Sequence, residues 1–295
     1  LVPAVYNFFL KNPFTSGILK KTLGFARKRS IPLLQKTTLR RWYRRHYVPS
    51  RTGRKVYLFA DEFTNYNDTP VGISAIKALH KLGYDVIIPE HTDSGRTFIS
   101  KGLLRKAARL AEKNIRILHP LVSDEAPLVG LEPSAILTFK DEYIDLTRGE
   151  MKEKARALAG NCMLFEDFIM REAAAGRIKA SLFTTEHRII RLHGHCHQKS
   201  LAGTASTRQM LSLPVNYSVE EIKSGCCGMA GSFGYEAEHY ELSMKVGELV
   251  LFPEIRKTGL ETIIAAPGTS CRHQISDGTG RQAKHPAEVF YESMK

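Results

Sequence analysis

Residues 187–196, HRIIRLHGHC, and residues 261–271, ETIIAAPGTSC, decide the fold. Each is a short β-branched apolar run that stops at a glycine and then meets a cysteine. Runs of that length, closed by Gly or Pro, read as buried strands rather than helices. Working outward, KVYLFADEF (55–63) and DVIIP (85–89) are strands, PLVGLEPSAIL (127–137) holds a third with a turn, and PVNYSVEEIKSG (214–225) is another with its exit loop. Helical spacing lies between them. PVGISAIKALHKLGY (70–84) aligns Ile73, Ile76, Leu79 and Leu82, and FISKGLLRKAARLAEKNI (98–115) reads as one helix. Residues 153–178 read as a long helical stretch with Cys162 on its face as a core residue. TRQMLSLP (207–214) ends a helix, and EAEHYELSMKVGELVL (236–251) is one with Leu242, Val246 and Leu249 inward; 261–271 is taken as the final strand. Such alternation predicts an α/β fold of parallel sheets covered by helices.

The chain repeats its own plan. TDSGRTFISKGLLRKAARLA (92–111) parallels the segment from Lys223 to Val250, and LVGLEPSAILTF (128–139) parallels TIIAAPGTSCRHQI (262–275). In that overlay Cys226-Cys227-Gly228 falls on Asp93-Ser94-Gly95, Cys271 on Ala135, and Cys196 near Asp61 to Phe63. The expectation is two tandem Rossmann-like lobes from internal duplication, residues 55–185 without cysteine ligands and 186–295 with them, preceded by a basic helical arm at 1–54.

At 295 residues the chain has room for two domains, and 43% hydrophobic with 25% charged residues is a globular composition. No apolar run is long enough to span a bilayer as a helix. Five cysteines in so long a chain are no disulfide scaffold, so a reducing, cytoplasmic compartment is expected. The net charge of +13 belongs to one end: residues 1–60 hold 14 Lys and Arg and no acid, leaving 29 basic against 30 acidic residues in the remainder. Transit peptide, nucleic-acid arm and membrane-surface helix are all compatible with such an end. Apolar positions such as Leu19, Leu33, Leu39 and Trp42 favour a connector lying against an acidic neighbour, with peripheral contact at the inner membrane as a further expectation. No nucleic-acid partner is expected, because the remainder shows no interleaved basic and aromatic surface. The first residue is Leu1 rather than Met, consistent with a piece of a longer protein.

Four cysteines stand where strands give way to loops: Cys196, the pair Cys226-Cys227 in SGCCGMAGSFGY (224–235), and Cys271. In a parallel sheet the carboxyl ends of the strands share one edge, so these sulfurs converge. Gly225, Gly228, Gly231 and Gly234 let the backbone turn tightly around a negatively charged centre. Two readings follow, an iron–sulfur centre or a closed structural zinc site. In HGHCHQK, His193, His195 and His197 alternate with Cys196, so a continuing strand places them on the opposite face; His195, His197 and His273 are expected to line the site rather than ligate. GHCHQKS (194–200) imitates a phosphate loop but has Gln198 where glycine is required, so nucleotide binding is discounted.

HGHCHQKSL (193–201), GCCGMAGSFGY (225–235) and GTSCRHQI with HPAEVF (268–275, 285–290) resemble the cysteine-rich CCG domain found in heterodisulfide reductase and in glycolate oxidase iron–sulfur subunits. The likeness is greatest to the C-terminal part of FAD-linked D-2-hydroxyacid dehydrogenases. DSGRTFISKGLL (93–104) and EPSAILTFKDEY (132–143) resemble the family's first repeat, where related chains read CCGR and EPSC. The resemblance implies a 4Fe–4S-type centre on Cys196, Cys226, Cys227 and Cys271, relaying electrons between flavin or ferredoxin-like domains and an acceptor. It places FAD elsewhere in the full protein and leaves this chain without dehydrogenase activity of its own. Two departures stand out. Gln274 occupies the second position of the usual CxxC, and Asp93, Ser94 and Ala135 replace first-repeat cysteines.

Overall fold

The computed structural model describes residues 3–50 and 53–295. Strands β1 (Lys55–Phe59), β2 (Asp85–Ile87), β3 (Leu128–Gly130) and β4 (Cys162–Leu164) form a parallel sheet in the order β2-β1-β3-β4. Strands β5 (Arg188–Leu192), β6 (Tyr217–Glu221), β7 (Ile263–Ala265) and β8 (Ala283–Lys284) form another in the order β6-β5-β7-β8. The two orders are the same, as a duplicated Rossmann-like lobe requires. The lobes share one apolar core: Leu58, Ile76 and Phe168 of the first belong to the same buried cluster as Ile190, Leu192 and Phe290 of the second. Phe165 and Phe290 meet edge-on across that boundary, ring centres 5.9 Å apart.

Several elements differ from the sequence reading. Cys162 lies in β4, not on a helix, because residues 153–178 divide into the end of helix Gly149–Gly160, the strand, and helix Phe165–Ala174. Asn161 leaves the helix just after Gly160, and β4 pairs with β3, a partner that local periodicity does not reveal. Residues 98–115 fall in two helices, Arg96–Ser100 and Leu104–Leu118, separated at Gly102, whose φ is +69°. Strand β8 follows the segment expected to be last; at two residues it carries no periodic signal. In helix Tyr240–Leu249 the buried stripe is Ser243 and Gly247, while Leu242 and Leu249 face solvent. A Cβ on Gly247 would lie 2.3 Å from the Phe252 ring, so this helix packs through its smallest residues.

The arm touches both lobes. Helices Pro3–Lys11 and Pro13–Thr22 part at Asn12, whose side chain accepts the Phe14 and Thr15 N–H groups ahead of Pro13. Helix Leu39–His46 packs on the first lobe, where Leu39 is buried and the Tyr43 hydroxyl donates to the Val86 carbonyl at 2.8 Å. The segment between these helices lies against the second lobe instead. Phe25 forms an antiparallel bridge with Glu236, and Ala26 N donates to Tyr235 O at 2.8 Å. No helix among the described residues is long and apolar enough to cross a membrane.

Candidate metal centre

The two lobes place equivalent turns in equivalent registers. Asp61 and His195 each cap the helix after the first strand of their lobe, so Glu62 corresponds to Cys196. Glu132 and Gly268 precede the helices that begin at Pro133 and Thr269, which sets Ala135 against Cys271. Gly95 and Gly228 both take left-handed φ, +80° and +99°, setting Ser94 against Cys227. In the first lobe this place is closed by a hydrogen-bonded pair: Glu62 accepts from the Ser94 hydroxyl at 2.8 Å and the Ser94 N–H at 3.0 Å. In the second lobe sulfur stands at the same positions.

The strand β5 ends at Leu192, so the alternation assumed for His193, His195 and His197 does not continue through Cys196. Cys196 begins helix Cys196–Leu201, the vicinal pair lies in a loop, and Cys271 sits in the first turn of helix Thr269–Thr279. The four thiols form a chain of neighbours: Cys196 to Cys226, Cys226 to Cys227, and Cys227 to Cys271. Cys162 is not among them. A ring nitrogen of His193 and the sulfurs of Cys227 and Cys271 all lie within 4.8 Å of one another. His193 Nδ1 meets the Ser224 hydroxyl at 2.8 Å, and its buried Nε2 has no hydrogen-bond partner of ordinary geometry among the described residues.

Charge is shared unevenly along this chain of sulfurs. Cys226 is held far below the usual thiol range by the Cys196 and Cys227 thiols and then by the Gly228 and Ala230 N–H groups. The Gly228 N–H reaches Cys226 Sγ at 3.3 Å. Cys271 is also held well down, first by the Cys227 thiol and then by His193 and His195. Cys196 and Cys227 are raised in return, chiefly by their hydrogen bonds to Cys226. The set thus offers four sulfurs and an imidazole, soft donors suited to iron–sulfur or zinc.

The loop holding the pair is tightly determined. A Cβ on Gly228 would fall 2.2 Å from the Ser243 carbonyl oxygen, and the left-handed φ independently favours glycine. Ala230 has φ +41°, the one non-glycine residue with positive φ among those described, and its N–H is directed at Cys226. Backbone strain of this kind persists only where surrounding contacts enforce it. Arg29 holds the far end of this loop. Fully buried, it donates to Gly234 O at 2.8 Å, Gln274 Oε1 at 2.6 Å, Asp277 Oδ2 at 3.1 Å and Ser243 Oγ at 3.1 Å. Gln274 Nε2 passes the connection to Cys227 O at 2.8 Å.

A cavity of about 540 Å³ opens at the junction of the lobes in front of the sulfurs. Cys196, Cys227, His195, His197 and Tyr235 line it from the second lobe, and Phe63, Arg96, Ser100, Lys101 and Glu132 from the first. Arg96 pairs with Glu142, and Lys101 with Glu236. His195 Nδ1 accepts the His197 N–H at 3.2 Å, and its ring packs on Gly268. His197 is pushed down to about 4 by burial and then by Arg96. His273 does not join these residues. It lines a separate 260 Å³ cavity with Asp68 and Arg272, since it points from its helix toward Ser30 and not toward the sulfurs.

Sequence reasoning missed His193 as a neighbour of the sulfurs, because strand alternation was extended past Leu192. It also missed Arg29 and the bracing role of Gln274. The signal for Arg29 is slight, an arginine in an acid-free segment rich in them. Gln274 announced itself only as a departure from CxxC.

This chain is similar to parts and subunits of dehydrogenases. It is 28% identical to the D-2-hydroxyglutarate dehydrogenase of Pantoea ananatis over 303 residues, covering 98% of this chain and 28% of that protein. It is 24% identical to a subunit of the anaerobic glycerol-3-phosphate dehydrogenase of Escherichia coli strain K12, covering 94% and 69%. Lactate utilization protein A of Bacillus velezensis is 26% identical, with 80% and 98% covered. No family model matches. The chain therefore spans less than a third of the length of the hydroxyglutarate dehydrogenases it matches.

Proposed function

We propose that this chain is an iron–sulfur electron-transfer module, the C-terminal part of an FAD-linked 2-hydroxyacid oxidoreductase. Residues 1–54 serve as its arm, 55–185 as a lobe without ligands, and 186–295 as the lobe in which Cys196, Cys226, Cys227 and Cys271 hold a 4Fe–4S-type centre. The observation that carries the reading is the gathering of four sulfurs from three separate turns into one chain of neighbours. When bound, such a centre supplies reversible one-electron transfer. The chain's own residues set the conditions. The Gly228 and Ala230 N–H groups stabilise negative charge on Cys226, burial shields Cys227 and Cys271, and Cys196 is exposed toward the cavity side. Substrate is oxidised at a flavin outside this chain, and electrons reach the centre from flavin or ferredoxin-like domains or subunits, in the cytoplasm or against the inner membrane. Names of the relatives, dehydrogenases of a hydroxyacid and of glycerol 3-phosphate, support this class.

Anaerobic purification and reconstitution test it. Iron and sulfide retained in equal amount, visible absorbance, and an EPR signal on reduction are expected; their joint absence overturns the reading. A zinc-held docking domain is the second reading, favoured by the compact His193, Cys227 and Cys271 group. One zinc per chain after anaerobic isolation, without sulfide, would establish that alternative.

A further inference from the structure

We infer that the first two helices form the docking surface for an acidic electron-donor domain; the inference rests on the electron-transfer reading above. Val5, Phe8 and Phe9 on helix Pro3–Lys11, and Phe14 and Ile18 on helix Pro13–Thr22, are all exposed, Phe8 at 63% and Phe14 at 76%. Elsewhere among the described residues, large exposed apolar side chains are scattered along the chain. Such concentration marks an interaction surface.

Charge says what kind of partner fits. Lys11, Lys21, Arg27 and Lys28 border these apolar residues in the sequence, and none of the four has an ion-pair partner among the described residues. With no acid anywhere in residues 1–60, the complementary surface is acidic. In the hydroxyglutarate dehydrogenase relatives the matching stretch is under a third of the protein, so assemblies of this kind contain ample further chain to supply it.

Position says why the partner carries electrons. The helices continue into the segment clamped on the turn at 234–237 by the Phe25–Glu236 bridge, the bond from Ala237 N to Gly24 O at 2.8 Å, and Arg29. The Phe25 ring lies against Tyr235, centres 6.4 Å apart, and Tyr235 in turn lines the cavity in front of Cys196 and Cys227. A domain seated on the helices is thus tethered, through Phe25 and Arg29, to the loop that walls the sulfur site. A lipid surface would accept the same apolar and basic residues but gains nothing from that attachment.

Zero-length carbodiimide cross-linking of the intact native protein or assembly containing this chain tests the inference, with iron and sulfide measured on the same sample. Lys11, Lys21 and Lys28 are expected to join carboxylates of a segment that binds flavin or an iron–sulfur centre. The Phe8→Ser, Phe14→Ser double variant, at exposed positions, is expected to keep its circular dichroism and lower the cross-linking yield about tenfold. Cross-links confined to residues 1–295, or reaching only a segment without a redox group, overturn the inference. Co-flotation with phosphatidylserine vesicles that the double variant abolishes also overturns it, in favour of a membrane surface. Iron and sulfide present without cross-links count against docking alone; cross-links without iron and sulfide count against the proposed centre alone.

Discussion

Arg29 donates to the side-chain oxygen of Gln274 at 2.6 Å across 245 residues of sequence, with no part of the arginine exposed. The same glutamine holds the Cys227 carbonyl, so the basic arm and the cysteine loop form one structural unit. Arg29→Met would strand the Asp277 carboxylate and three neutral partners without their donor. A loss of about 2–3 kcal/mol is expected, since Asp277 is partly exposed and keeps the Ser30 N–H, read as a lower urea midpoint by circular dichroism. Arg29→Lys should restore only part of it, since an ammonium lacks the planar fork. An unchanged midpoint for the methionine variant would show that the arm is not a brace.

Single cysteine replacements separate ligands from core. Cys226→Ala and Cys271→Ser are expected to reduce retained iron after anaerobic reconstitution to background. Cys162→Ala, in a fully buried strand position away from the sulfur cavity, should lower stability by about 1 kcal/mol and leave iron content as it was. Equal iron in all three proteins would remove the four-sulfur site.

Gln274→Cys restores the usual CxxC spacing, yet it is expected to add no metal ligand. The Gln274 side chain is engaged with Arg29, Cys227 O and Ser243 O, so the substitution removes the brace and leaves Arg29 short of an acceptor. Iron per chain should stay level or fall, with a lower urea midpoint. A rise in iron per chain, together with an altered EPR signal, would contradict this.

Glu166 gives the fold a pH dependence. Burial holds this carboxyl up to about 7, above its ordinary 4.5, although Thr207 and Gln198 donate to it. Below pH 4.5 it is protonated in both folded and unfolded chains, and its raised folded-state value opposes nothing. Between 4.5 and 7 the unfolded chain ionises first and is favoured, so folding loses about 3 kcal/mol by neutral pH. Glu166→Gln should therefore be more stable than the parent at pH 7.5 and indistinguishable from it at pH 4. Parallel stability curves across that range would show that Glu166 ionises freely.

Much of the architecture was legible locally. Val56, Leu58, Ile190 and Ile264 sit in short apolar runs, and those runs are strands because a buried parallel strand needs no polar alternation. The repeat was legible as well: the overlay of Cys226-Cys227-Gly228 on Asp93-Ser94-Gly95 reappears as two left-handed glycines at matching turns. Legibility failed where pairing partners or close contacts decide. Strand β4 depends on β3 for its hydrogen bonds, and the inward stripe of helix Tyr240–Leu249 was misjudged because packing against Phe252 selects glycine over leucine.

The amino-acid sequence by itself determined the alternation of strands and helices, the duplication, and the three turns that carry sulfur, since these follow from local periodicity and from backbone freedom at glycine. Only the tertiary structure decided that His193 stands with Cys227 and Cys271, that His273 lies apart from them, and that Arg29 reaches across the chain to the cysteine loop. Those outcomes depend on where a strand stops and on which distant surfaces meet. Contacts between residues 200 or more positions apart are set by the packing of whole lobes, which no local pattern encodes.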